Sequence, residues 1–118
     1  MRVLRSLLAI AILVGPLGCG ALDSSDHPTL IEVAEQYGLA YCKKLRVCMG
    51  ADFDLSYPGG VEDCAMRTFR IYGTSERSIC PQERWDTCTT DLQSVQNTCV
   101  KSESGTMRPK LPDSCMDC

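Results

Sequence analysis

The side chains with the most chemistry to offer are nine cysteines: Cys19, Cys42, Cys48, Cys64, Cys80, Cys88, Cys99, Cys115 and Cys118. A thiol serves as a disulfide partner, a metal ligand, a nucleophile or a redox centre, and its surroundings decide which. Cys115-Met116-Asp117-Cys118 is a CxxC. In redox proteins that motif opens a helix after a strand, so that the helix N-terminus lowers the pKa of the first thiol. No βαβ pattern surrounds it here, so the favoured reading is a pair of structural cysteines stapling a loose terminus. A thiol-redox use of Cys115 and Cys118 is the alternative. A zinc centre wants two close ligand pairs. Only one is present, and the single histidine, His27, falls in a polar stretch expected to be a flexible tether. Asp52, Asp54 and Ser56 occupy the first, third and fifth places of an EF-hand-like loop, with Asp63 at the twelfth. Tyr57 stands where that loop needs glycine, so an acidic, solvated loop is preferred and calcium is the weaker reading. Hydrolytic catalysis needs a base beside a nucleophile, and His27 in a tether does not supply one. The acid pairs Asp52/Asp54 and Glu62/Asp63 lack an apolar pocket, and no Gly-rich phosphate loop occurs. No catalytic residue, metal or cofactor is therefore expected.

Those residues sit behind an address. Arg2 and Arg5 make a positive start, and Ser6 to Leu17 is an apolar run of 12 residues. That suits the hydrophobic region of a signal peptide. It is short for a membrane span, which needs about 20 apolar residues. The run ends Leu17-Gly18-Cys19, a small residue directly before a cysteine. This resembles the lipobox of bacterial lipoproteins. The resemblance implies cleavage after residue 18, diacylation of the Cys19 sulfur with palmitate-type chains, and attachment to the cell envelope. The absence of Asp at position 20 leans toward the outer membrane. Cleavage by an ordinary signal peptidase near Gly20 or Ala21 would instead give a secreted protein.

Setting Cys19 aside leaves eight cysteines in about 100 residues. That density is typical of a disulfide framework in an oxidising compartment, although eight cysteines admit 105 pairings. Without Arg2 and Arg5 the mature chain carries 10 basic and 15 acidic residues, a net charge of −5. A nucleic-acid partner needs a basic stripe, so none is expected. Nor is there a polybasic attraction to lipid, so membrane attachment falls to the acyl chains.

The elements that must hold the cysteines read as helices. Residues 19–28 form a short polar tether, and one domain follows over 29–118. Across Thr29 to Met49, the positions Leu30, Ala34, Tyr37, Tyr41, Leu45 and Cys48 step by 4, 3, 4, 4 and 3. That is one face of a helix. Thr29 and Glu32 form a capping box at its start, cations gather near its end, and Gly50 stops it. Cys42 and Cys48 lie about 120° apart around this helix, so they bond different partners. Residues 50–60 are expected as a loop. A second helix is expected over 61–72, with Val61, Cys64, Ala65, Thr68 and Ile71 or Tyr72 inward and Gly73 at its end. A third is expected over 81–100, where Trp85, Cys88, Leu92, Val95 and Cys99 share one face and Pro81 takes the first turn. Residues 101–111 read as loose, and 112–118 as one last turn tied back by a cysteine. The aromatic residues Tyr37, Tyr41 and Trp85 belong to the core. The fold class is thus all-α: a small disulfide-stapled bundle of three to four short helices.

The pattern Tyr41-Cys42-x5-Cys48, a lone Cys64, Cys80-x7-Cys88-x10-Cys99 and Leu111-Pro112-x2-Cys115 is similar to the small cysteine-rich predicted lipoproteins of myxobacteria. The likeness spans most of residues 37–118. It implies an envelope location and a disulfide-linked helical fold, and it implies no activity. The expected role is non-enzymatic, a structural or interaction module for another envelope or extracellular protein.

Overall fold

The computed structural model describes residues 26–118; the leader, Cys19 and the first part of the tether lie outside the described residues. The domain is built around α1, Leu30–Met49, the longest described helix at 20 residues. Its capping box forms: the Glu32 amide donates to Thr29 Oγ1 at 3.2 Å, and the Thr29 amide donates to Glu32 Oε2 at 2.8 Å. Gly50 ends it with φ 60°, and the Gly50 amide closes on the Arg46 carbonyl at 3.0 Å. Burial on α1 is broader than one stripe, taking in Val33, Gly38, Ala40, Cys42, Lys44 and Leu45. The reason is its central position, since α1 packs against other elements on several sides.

Residues 50–60 are not a continuous loop. Ala51–Ser56 forms a short helix, α2, with Asp52 and Asp54 in its first turn, where acids suit the helix dipole. Its anchor is Phe53, fully buried against Cys42, Leu45, Cys64 and Ala65. Helix α3 runs Gly60–Thr68 and buries Cys64 and Ala65. The chain then tightens into a 3-10 turn at Arg70–Tyr72, which Gly73 ends. That change of winding turns Ile71 and Tyr72 outward, both 71% exposed, contrary to their expected inward placement.

Helix α4 is Gln82–Gln93, with Pro81 just before it in extended conformation. Trp85, Cys88 and Leu92 are its buried face. It stops seven residues short of the expected end at residue 100. Local side-chain bonds compete with the helix there. Ser94 Oγ accepts from the Gln96 amide at 3.2 Å, and Asn97 Nδ2 donates to the otherwise orphaned Leu92 carbonyl at 3.1 Å. Val95 is consequently 95% exposed, and Cys99 lies on a strand rather than on a helix face. Strand β1, Cys99–Lys101, pairs antiparallel with β2, Met107–Pro109, in the register Cys99↔Pro109, Val100↔Arg108 and Lys101↔Met107. The stretch expected to be loose is therefore a hairpin. Its tip is closed by the Ser102 amide on the Thr106 carbonyl and by Gly105 at φ 91°. A final 3-10 turn, Asp113–Cys115, packs on α4. The domain is mainly helical, with this one small sheet among the described residues.

Two apolar centres lie along α1. Cys42, Leu45, Phe53, Cys64 and Ala65 form one, and Val33, Cys80, Trp85 and Cys88 form the other. Aromatic rings join them. Tyr37 meets Trp85 edge-on with centroids 6.1 Å apart, and meets Phe69 at 5.3 Å; Phe69 meets Tyr41 at 5.2 Å. Gly38 makes room, since a Cβ there would lie 3.2 Å from Phe69.

Candidate functional site

All eight cysteines of the described domain are paired. The bridges are Cys42–Cys64, Cys48–Cys99, Cys80–Cys118 and Cys88–Cys115. Cys42 and Cys48 do bond different partners. Cys42–Cys64 ties α1 to α3 inside the first apolar centre. Cys48–Cys99 fastens the end of α1 to the hairpin. Cys88–Cys115 and Cys80–Cys118 hold the final turn on α4 and on the segment before it.

The CxxC is thereby divided. Cys115 and Cys118 belong to separate bridges, so they do not form the single dithiol that a redox motif requires. Asp117 between them takes a left-handed φ of 68°. The structure places this pair as two staples.

The calcium candidates are not gathered either. Asp52 and Asp54 are exposed on helix α2, where a liganding loop would have to wrap an ion. Asp63 is committed to Arg67, with contacts of 3.0 and 2.9 Å, and accepts from the Gly59 amide at 3.3 Å. The Ser56 carbonyl accepts from the same guanidinium at 2.8 Å. Among the described residues no group of three or more His, Cys, Asp or Glu is arranged to hold a metal ion.

His27 is not in a free tether. Its Nδ1 lies 3.0 Å from the Ser78 carbonyl, and its own carbonyl accepts from Arg77 at 2.9 Å. Pro28 is buried, and the Ser78 amide donates to its carbonyl at 2.8 Å. Residues 26–28 thus belong to the body, because a strand-like run of backbone bonds zips 26–31 onto 74–82. Ser78 is the hub. Its buried hydroxyl accepts from Trp85 Nε1 at 2.8 Å and from the Cys80 amide at 3.1 Å. Nothing in the sequence marked Ser78, since a lone serine between turn residues has no periodicity to betray burial.

Tyr37 and Tyr41, expected in the core, are half-buried. Burial pushes the Tyr37 phenol up from 10.0 to about 12, with the neighbouring Tyr41 adding to the shift. Tyr41 is raised as well, chiefly by burial. The side chain of Lys44, also buried, donates to the Ser94 carbonyl at the end of α4 at 2.8 Å. A surface groove of about 290 Å³ runs between α1 and α3. Its floor is Ala34, Leu39 and Ala65, and Glu35, Glu62 and Arg70 stand along it.

What the arrangement accomplishes chemically is cross-linking. Comparison with protein-family models, with curated proteins and with solved structures gave no significant match.

Proposed function

We propose that the protein is an exported cell-envelope lipoprotein, anchored through acyl chains on Cys19. Its helical domain acts as a non-enzymatic structural or protein-interaction module, placed at the outer membrane. The observation that carries the reading is the complete pairing of the domain's eight cysteines in four bridges. Such a framework is at home in an oxidising compartment. It leaves Cys19, directly behind the apolar leader, as the one cysteine assigned to another chemistry. No described helix is long and apolar enough to cross a membrane. The acidic balance of the mature chain supports a protein or matrix partner over nucleic acid.

The test is an intact mass of the native, membrane-extracted protein, with and without alkylation under non-reducing conditions. The expected mass is that of residues 19–118 plus acyl chains, less the eight hydrogens of four bridges, with no alkyl group added. A lipid-free chain starting near Ala21 would replace the anchor by secretion. Two alkyl groups on Cys115 and Cys118 would put thiol exchange in place of the structural role.

A further inference from the structure

The end of the domain at which the chain enters carries several exposed apolar side chains. Asp26 joins the body there, its carbonyl accepting from the Gln82 amide, and the zipped segments 26–31 and 74–82 follow. Four apolar residues lie on or beside these segments and stand in water: Ile31 is 45% exposed, Ile71 and Tyr72 71%, and Ile79 78%. The backbone sets Ile31 beside the Ile71–Tyr72 turn and carries Ile79 further along the same zipped pair. The Ile31 amide bonds the Thr74 carbonyl at 3.0 Å, and a Cβ on Gly73, next to Tyr72, would lie 3.0 Å from the Ile31 Cα. Ile79 directly follows Ser78, which is bonded to Pro28.

Six residues lie between Cys19 and Asp26, so seven Cα-to-Cα steps join them. Fully extended they reach about 25 Å. With Cys19 lipidated, this end of the domain cannot leave the neighbourhood of the bilayer. Water-exposed Ile and Tyr side chains held at that distance are suited to the boundary between headgroups and acyl chains. The nearby charges are mixed with a slight acidic excess, Arg70 and Arg77 against Asp26, Glu32 and Glu76, so the attraction is apolar rather than electrostatic.

We infer that this end is a lipid-facing surface: Ile31, Ile71, Tyr72 and Ile79 enter the bilayer boundary and set the orientation of the anchored domain. The inference rests on the lipid anchor at Cys19. Its occupant is the membrane itself, and its contacts should survive raised salt.

Two tryptophan reporters test it in the full mature chain, held in phosphatidylethanolamine–phosphatidylglycerol vesicles with brominated acyl chains. Tyr72→Trp sits at the entry end. Val95→Trp sits by Val47, about 24 Å along α1 from Ile31, with which it shares a surface hollow. The buried Trp85 is common to both and is subtracted using the unsubstituted protein. Bromine should quench the Tyr72→Trp emission severalfold more than the Val95→Trp emission. Adding Ile71→Ser and Ile79→Ser to the Tyr72→Trp chain should remove most of that difference, with an intact mass showing four closed bridges. Equal quenching, or none, in a chain whose mass shows acyl groups overturns the surface and leaves the anchor standing. Preferential quenching in a chain without acyl groups upholds the surface and removes the anchor. A blue-shifted Tyr72→Trp emission in native envelopes, unaffected by brominated lipid, assigns the face to a protein and overturns the proposal.

Discussion

Ser78 and Tyr37 show how much of this domain hangs on single polar atoms in a small core. Ser78→Ala leaves the indole N–H of Trp85 and the Cys80 amide without their acceptor. An unsatisfied buried donor costs about 1–3 kcal/mol. The expected result is a lower denaturant midpoint with an unchanged slope, and Ser78→Thr should recover part of it. Tyr37 makes stability depend on alkaline pH. Its folded pKa, about 12, lies above the ordinary 10.0, so the folded state holds the phenolic proton more tightly than the unfolded chain. The corresponding stability is complete below pH 10.0 and is lost as pH rises toward about 12. Denaturant titrations across that window should show the fall, and Tyr37→Phe should flatten it.

Elements were legible where local signals were uncontested. The Thr29 capping box, the helix behind it and the Gly50 stop stand as their residues dictate. Thr29→Ala should cost about 1 kcal/mol, read as a lower melting temperature, because it removes the cap of the central helix. The third helix ends at Gln93 although Val95 and Cys99 continue the helical period in sequence. Periodicity counts apolar residues, but it does not weigh side-chain bonds that compete with the helix. Asn97 decides the matter, since its Nδ2 also donates to the Lys110 carbonyl beyond β2 at 2.9 Å. Asn97→Ala should therefore destabilise the hairpin by about 1–2 kcal/mol, one increment for each hydrogen bond lost. Faster amide exchange at Cys99–Lys101 than on α1 is the measurement. The short helix α2 leaves no mark in the sequence for the converse reason: a single buried Phe53 anchors it, with too few residues for a period.

At the scale of the molecule the four bridges carry unequal weight. Chain entropy ranks Cys48–Cys99 highest, with a separation of 51 residues against 22 for Cys42–Cys64. The entropic difference is small, about 4 against about 3.4 kcal/mol. Packing reverses the order, because Cys42 and Cys64 are both fully buried in the first apolar centre. Losing their sulfurs adds a cavity cost of about 1–2 kcal/mol. The double variant Cys42→Ala/Cys64→Ala should thus show the lowest melting temperature. Cys80→Ala/Cys118→Ala should show a smaller loss, because Cys80 is buried in the second apolar centre but its partner Cys118 lies exposed at the terminus.

By itself the sequence determined that this chain has a helical, cysteine-rich domain, where its central helix begins and ends, and that Cys42 and Cys48 must part company. Those features follow from spacing and capping, which act over a few residues. Only the tertiary structure decided which cysteines meet, that the CxxC is split between two bridges, and that His27 and Pro28 are drawn into the body. It also decided that Ile71, Tyr72 and Ile79 face outward at the entry end. These depend on contacts between residues far apart in the chain, where any of the many pairings keeps the same local pattern and three-dimensional packing selects one.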